Sequence, residues 1–204
     1  APSFLRTHPI TSERISDIED RLAEYPYKQR VDDPSFHFVK SKIRVFLQDK
    51  KSIKKQLEIN IKNKSYVSEL GERYALAYAY LRNENFSEAQ DELKWIKDKK
   101  LENPMIDLLN IEILLKKGDI DLAYLAIKKA LIKYPNYRAF VYKLANYYIE
   151  VGSIKEAIKL LQNYILIFKT DSNLYKLIAK AYSLDDKQLL QYESLAEAFY
   201  YKYN

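Results

Sequence analysis

Two histidines, His8 and His37, are the nitrogen ligands this chain can offer a metal, and they lie 29 residues apart. A helical zinc-peptidase site needs two histidines one turn apart with a glutamate between them. Only that spacing aims both imidazoles at one ion while a carboxylate activates water. His8 and His37 fall in separate segments, and there is no cysteine to supply a thiolate or a disulfide. The sequence holds no Gly-rich phosphate loop and no Ser–His–Asp arrangement. The chain itself is therefore expected to be non-enzymatic, with no metal and no cofactor of its own. His37, flanked by Phe36 and Phe38, is expected to be partly buried packing.

Composition points to helix. Hydrophobic residues make up 48% of the 204, too many for a disordered chain, and three glycines with six prolines are too few for a loop-rich one. Nineteen tyrosines provide large apolar bodies with polar tips, suited to half-buried walls. No apolar run reaches the roughly 20 residues needed to span a bilayer, so no transmembrane segment is expected. The start, APSFLRTHPI, has neither an initiator Met nor the pattern of a secretory signal, and it reads as the beginning of an excised piece. The net charge of +6 is uneven. Residues 40–64 carry nine Lys or Arg against Asp49 and Glu58, a local +7 that leaves about −1 elsewhere. Such a run is either a solvated helix face or a docking patch for an acidic partner. A nucleic-acid partner is not expected, because Phe46 is the lone ring in the run and no recognition motif accompanies it.

The elements that place these side chains follow a beat of 34 residues. Ala89, Ala123 and Ala157 are spaced by that interval. Asn85, Asp119 and Ser153 share one slot, and Gly118 and Gly152 another. This period is the mark of the tetratricopeptide repeat, a helix–turn–helix unit that buries its apolar face only against its neighbours. The expected fold is all-α, a right-handed solenoid of such hairpins preceded by a short helix. Residues 1–25 contain an amphipathic helix at 12–24, with Ile15, Ile18 and Leu22 on one face. Residues 26–34, bracketed by Pro26 and Pro34, read as a linker. The solenoid takes 35–204, with a degenerate first pair at 35–63 and regular pairs at 66–100, 104–134, 137–169 and 171–203. In the first pair Phe38, Ile43, Phe46 and Leu47 are expected to form the buried stripe, and Lys55 replaces the expected alanine. Ala77, Ala145 and Ala179 mark where the helices of a pair approach, with Ile111 the exception. Asn85, Asp119 and Ser153 are expected to cap the second helices, Ser153 with Glu156 as a capping box. The last helix is expected to lay Tyr192, Leu195, Phe199 and Tyr203 against its neighbours as a cap.

In a stacked array the first helices line the concave side. The repeat frame places Tyr74, Tyr78 and Arg82 there, then Leu108, Glu112 and Lys116. Tyr142, Asn146 and Glu150 come next, followed by Lys176 and Lys180. Rings, amides and mixed charges suit an extended peptide, so the expected partner is a protein segment held in this groove. Asn146, Lys176 and Lys180 resemble part of a carboxylate clamp, but Tyr74 or Tyr142 fills its first slot, and a full clamp is not expected.

The front end carries a second resemblance. Thr7-His8-Pro9-Ile10-Thr11-Ser12-Glu13-Arg14-Ile15 resembles the closing motif of the HtpX-like zinc metallopeptidase family. Leu195-Ala196-Glu197-Ala198-Phe199-Tyr200 resembles the end of the repeats in its β-barrel assembly-enhancing branch. The resemblance implies that residues 1–25 are the tail of an upstream peptidase domain whose zinc-binding HExxH helix lies outside this sequence. His8 and Arg14 would then border the parent's active-site cleft. They either hold substrate there or merely pack. It also implies a periplasmic protein in outer-membrane quality control. Its repeats would engage barrel proteins or subunits of the barrel assembly machinery. Our own expectation, beyond the resemblance, is that the basic run 40–64 docks on the peptidase domain. The alternative is a free-standing tetratricopeptide adaptor or chaperone unrelated to proteolysis.

Overall fold

The structure, a computed structural model, describes residues 11–24 and 32–203. The chain divides into two units, Ala1–Asp33 and Pro34–Asn204. In the first, α1 spans Thr11–Glu24, with Ile15 and Ile18 exposed and Asp17 paired to Arg21 at 3.0 Å. His8 lies outside the described residues, as do the side chains of Arg14 and Leu22.

The second unit is a row of helices: α2 Pro34–Leu47, α3 Lys50–Asn63, α4 Glu69–Arg82, α5 Phe86–Asp98 and α6 Pro104–Lys117, then α7 Ile120–Lys133, α8 Arg138–Glu150, α9 Ile154–Ile167, α10 Ser172–Leu184 and α11 Gln188–Tyr203. From α4 onward each helix packs on the next in chain order, as stacked hairpins require. Ala89, Ala123 and Ala157 are fully buried where paired helices meet. Ile111 is equally buried, so the α6–α7 pair accommodates a larger side chain in its small-residue slot. No described helix is long and apolar enough to cross a membrane.

The turns are built differently from the sequence expectation. Asn85, Asp119 and Ser153 accept no capping hydrogen bond through their side chains, and the Ser153–Glu156 capping box does not form. Their ψ angles of 60–72° fall short of the 115° and 129° at Ser68 and Asn103, where capping bonds form. Asn85 instead accepts from Lys54 Nζ at 3.3 Å, and Asp119 pairs with Lys117 at 3.0 Å. What closes the turn is a left-handed residue, Glu84, Gly118, Gly152 or Asp186. After three of these the next N–H donates back over the helix end, Asn85 to Tyr80 O, Asp119 to Leu114 O and Lys187 to Tyr182 O. Side-chain caps sit on the first helices, where Ser68, Asn103 and Asp171 accept from backbone N–H groups, and on α3, where Asp49 does so.

The front of this unit departs from the repeat. Helices α2 and α3 each pack on α4 and scarcely on each other, unlike the regular hairpins. The face of α2 turned to α4 is Phe38, Ser41 and Val45; of the expected stripe only Phe38 is buried, while Ile43, Phe46 and Leu47 are exposed. The two apolar sets lie on opposite sides of one helix, and α4 can cover only one of them. Gly71 permits the close crossing: Ser41 Oγ donates to Gly71 O at 2.7 Å, and a Cβ at Gly71 would come within 3.1 Å of His37 Cβ. Buried Glu72 then ties three helices together, accepting from Arg44 on α2 and Asn60 on α3, both at 2.7 Å. At the other end Ser194 and Ala198 are the buried residues of α11. Tyr192, Phe199 and Tyr203 point outward, because small residues let α11 approach α10 more closely than rings would.

Candidate functional site

The inner surface begins at α4, and there α2 already occupies it. Tyr74 and Tyr78 are fully buried and so are not the open groove residues that the repeat frame suggested. Phe38 covers Tyr74 with ring centroids 4.4 Å apart, and Phe46 meets Tyr78 edge-on at 6.1 Å. The Tyr74 hydroxyl donates to Met105 O at 3.1 Å, linking α4 to α6. Burial, reinforced by neighbouring Tyr74 and by Glu112, holds the Tyr78 phenol well above its usual range, so it stays neutral. Leu108 is buried as well. Arg82 is spent inside the chain too, donating to the carbonyls of Val45 and Gln48 at the end of α2.

Beyond α2 the surface opens. Lys42 of α2 donates to the Tyr78 hydroxyl at 3.0 Å and lies 3.3 Å from Glu112 on α6. Lys143 on α8 approaches the same carboxylate at 3.5 Å. Glu112 and Lys143 line a cavity of about 590 Å³, with Phe46 and Leu115 among its apolar walls. Of the expected groove residues, Tyr78, Arg82, Glu112, Lys116 and Glu150 line it, the last reaching in from the end of α8. Its other contributors escaped the repeat frame. Lys143 lies one position beyond an expected groove slot, and Phe46 belongs to a helix that does not obey the repeat.

The remaining expected residues lie further along the array and do not line that cavity. The Tyr142 hydroxyl donates to Asp171, which also pairs with Arg138 at 2.8 Å. Burial opposes ionisation of Asp171, but these two donors outweigh it and hold its pKa below the ordinary aspartate value. Burial first, then the bond to Asp171, pushes Tyr142 up to about 12. Asn146 Nδ2 donates to Tyr142 O at 2.9 Å, while Lys176 and Lys180 are exposed on α10. Among the described residues no three His, Cys, Asp or Glu side chains are grouped to hold a metal ion. The hollow offers an apolar wall at Phe46 and Leu115 beside mixed charges at Glu112, Lys116, Lys143 and Glu150.

The tetratricopeptide-repeat sequence profile matches residues 114–181. This stretch is a tetratricopeptide-repeat region. Solved structures show the fold more widely. MamA superposes with a TM-score of 0.58 at 16% identity, covering 85% of this chain and 96% of that one. MamA of Desulfovibrio magneticus gives 0.54 at 20% identity over 67% and 77%. YrrB, described as a tetratricopeptide protein with an unusual peptide-binding site, gives 0.53 at 13% identity over 94% and 91%. The second unit is thus an α-solenoid of tetratricopeptide hairpins. Along 96% of its length the chain is also 25% identical to the β-barrel assembly-enhancing protease of Yersinia pestis. It spans 41% of that relative's length.

Proposed function

We propose that this chain is the interaction region of a periplasmic zinc metallopeptidase in outer-membrane protein assembly and quality control. Its hollow would hold a segment of a barrel protein or of an assembly-machinery subunit. The observation that carries the reading is the similarity to a β-barrel assembly-enhancing protease along 96% of the chain, front segment included. A tetratricopeptide array with an open inner cavity supplies the holding surface. The described residues do not build a zinc site, so the metal chemistry would belong to an HExxH helix elsewhere in the parent. In that parent His8 and Arg14 would border the cleft, by resemblance alone.

A second reading, a free-standing adaptor, draws on the solved neighbours, since the fold accounts for 96% of the MamA chain and 91% of YrrB. The gene decides between them. An HExxH codon run in the frame preceding Ala1 supports the peptidase reading, and its absence from the full reading frame favours the adaptor. In the parent protein, His8→Ala with unchanged proteolysis would reduce His8 to a packing residue.

A further inference from the structure

A second cleft, sharing no residue with the hollow, lies between α9 and α11, the second helices of the last two hairpins, with α10 as its floor. Both helices pack on α10 and scarcely on each other, which leaves a slot of about 360 Å³. Its walls are apolar: Ile165 and Leu166 from α9, Ile178 from α10 and Leu190 from α11. The charged residues that line it are Glu193 and Glu197, one turn apart on α11, with no lysine or arginine beside them. Among the described residues neither carboxylate makes an ion pair.

The repeat supplies an internal comparison. The corresponding cleft two repeats earlier lies between α5 and α7 over α6. Lys97, Asp107, Asn110 and Lys129 line it where Ile165, Tyr175, Ile178 and Glu197 line the later one, each pair 68 residues apart. In the earlier cleft Lys97 Nζ donates to Asn110 Oδ1 at 2.9 Å, so polar groups partner one another there. Stacked hairpins therefore do not require an apolar cleft at this place. In the later one apolar side chains face the slot, and glutamate stands where lysine did.

We propose that the α9–α11 cleft is a second docking surface, for a basic polypeptide segment. The segment lays an apolar side chain between Leu166, Ile178 and Leu190 and a lysine or arginine on Glu193 and Glu197. As part of a repeat array the slot suits a protein segment. Covering its apolar wall supplies affinity that salt leaves intact. The two carboxylates select a cation, and their attraction weakens as ions screen it. The inference holds whether or not the hollow is occupied.

The test uses the 204-residue chain and two labelled peptides that share the same apolar residues, one interspersed with lysine and the other with glutamate. Fluorescence anisotropy should show the lysine peptide binding more tightly by about tenfold, and less tightly as salt rises. That preference runs against the chain's net charge of +6, which by itself would favour the glutamate peptide. Glu193→Gln with Glu197→Gln should weaken the lysine peptide by about tenfold, and Leu166→Ser should weaken both peptides by about fivefold. Leu166 is 71% exposed, and an unchanged helical circular-dichroism melt verifies folding of each variant. Lys129→Gln in the earlier cleft and Phe46→Ser in the hollow should leave the lysine peptide's affinity unchanged. If the glutamate peptide binds the unaltered chain equally well, or if neither peptide binds, the inference is overturned. If Phe46→Ser weakens the lysine peptide and the α9–α11 variants do not, the segment sits in the hollow, so the inference falls and the reading of the hollow stands. If sedimentation shows the chain associating with itself and Glu193→Gln with Glu197→Gln abolishes this, the occupant is a second copy and the partner assignment falls.

Discussion

The ammonium of Lys42 lies 3.3 Å from Glu112 Oε1, fastening α2 to α6. Both side chains are partly exposed, so the pair is screened and modest in energy. The same lysine also donates to Tyr78, which makes it a joint between three helices. Lys42→Ala and Glu112→Ala should each lower stability by about 1 kcal/mol, with a coupling of about 0.5 kcal/mol in the double-mutant cycle. Urea midpoints of the four proteins measure this, and strictly additive losses would show that α2 is not held there.

Gly71 offers a test by sign. In a helix free of tertiary contact, glycine to alanine stabilises by about 1 kcal/mol. Here the added Cβ would meet His37 Cβ at 3.1 Å and Ser41 Oγ at 3.4 Å, with α2 pressed on the same turn. Gly71→Ala should therefore destabilise, by about 1–3 kcal/mol. A rise in melting temperature would mean that α2 does not cross α4 at this point.

The turns predict an asymmetry between two serines. Ser68 accepts from Gly71 N–H at 3.2 Å, whereas the Ser153 side chain makes no cap bond. Ser68→Ala should cost about 1 kcal/mol and Ser153→Ala close to nothing. Denaturation of the two variants side by side checks it; equal losses would restore the capping-box expectation.

Asp171 predicts an acid sensitivity. Its folded pKa lies below the ordinary value despite burial, because Tyr142 and Arg138 donate to the carboxylate. A depressed folded pKa contributes stability above the unfolded pKa of about 3.9, and that contribution disappears as pH falls through the folded value. Stability of the chain should therefore fall below about pH 4 partly through this group. Asp171→Asn should flatten that limb and lower stability at neutral pH by about 1–3 kcal/mol. An unchanged acid limb in Asp171→Asn would remove the group from the account. At high pH the raised Tyr142 value works in the opposite sense: its stabilisation is intact below the unfolded tyrosine pKa and is lost as pH climbs toward about 12.

Sequence and structure agree where the repeat frame applies. Ala89, Ala123 and Ala157 report close helix approach directly, because only small side chains fit there, and the regular hairpins follow from them. The frame also points to Glu112 and Lys116 on α6 and Glu150 on α8, which line the hollow. What could not be read was the course of α2. Its two apolar sets, Phe38 with Val45 and Ile43 with Phe46, look alike in sequence, and nothing local says which one α4 will cover. That choice buries Tyr74 and Tyr78, which the frame alone had left open. One signal was present in Gly71, an unfavourable residue inside a helix that marks a close crossing. On α11 the rings look like the packing face in sequence, but Ala198 and Ser194 are the residues buried there.

The central claim is that a partner polypeptide sits in the hollow that Phe46 of α2, Lys116 of α6 and Glu150 of α8 line. Photocrosslinking side chains placed singly at Lys116, Glu150 and Leu125 test it most directly, Leu125 being exposed on α7, a second helix of its pair. In cells making the full-length protein, a protein partner should be trapped from Lys116 and Glu150 and not from Leu125. Capture from Leu125 with none from the two hollow positions would contradict the account.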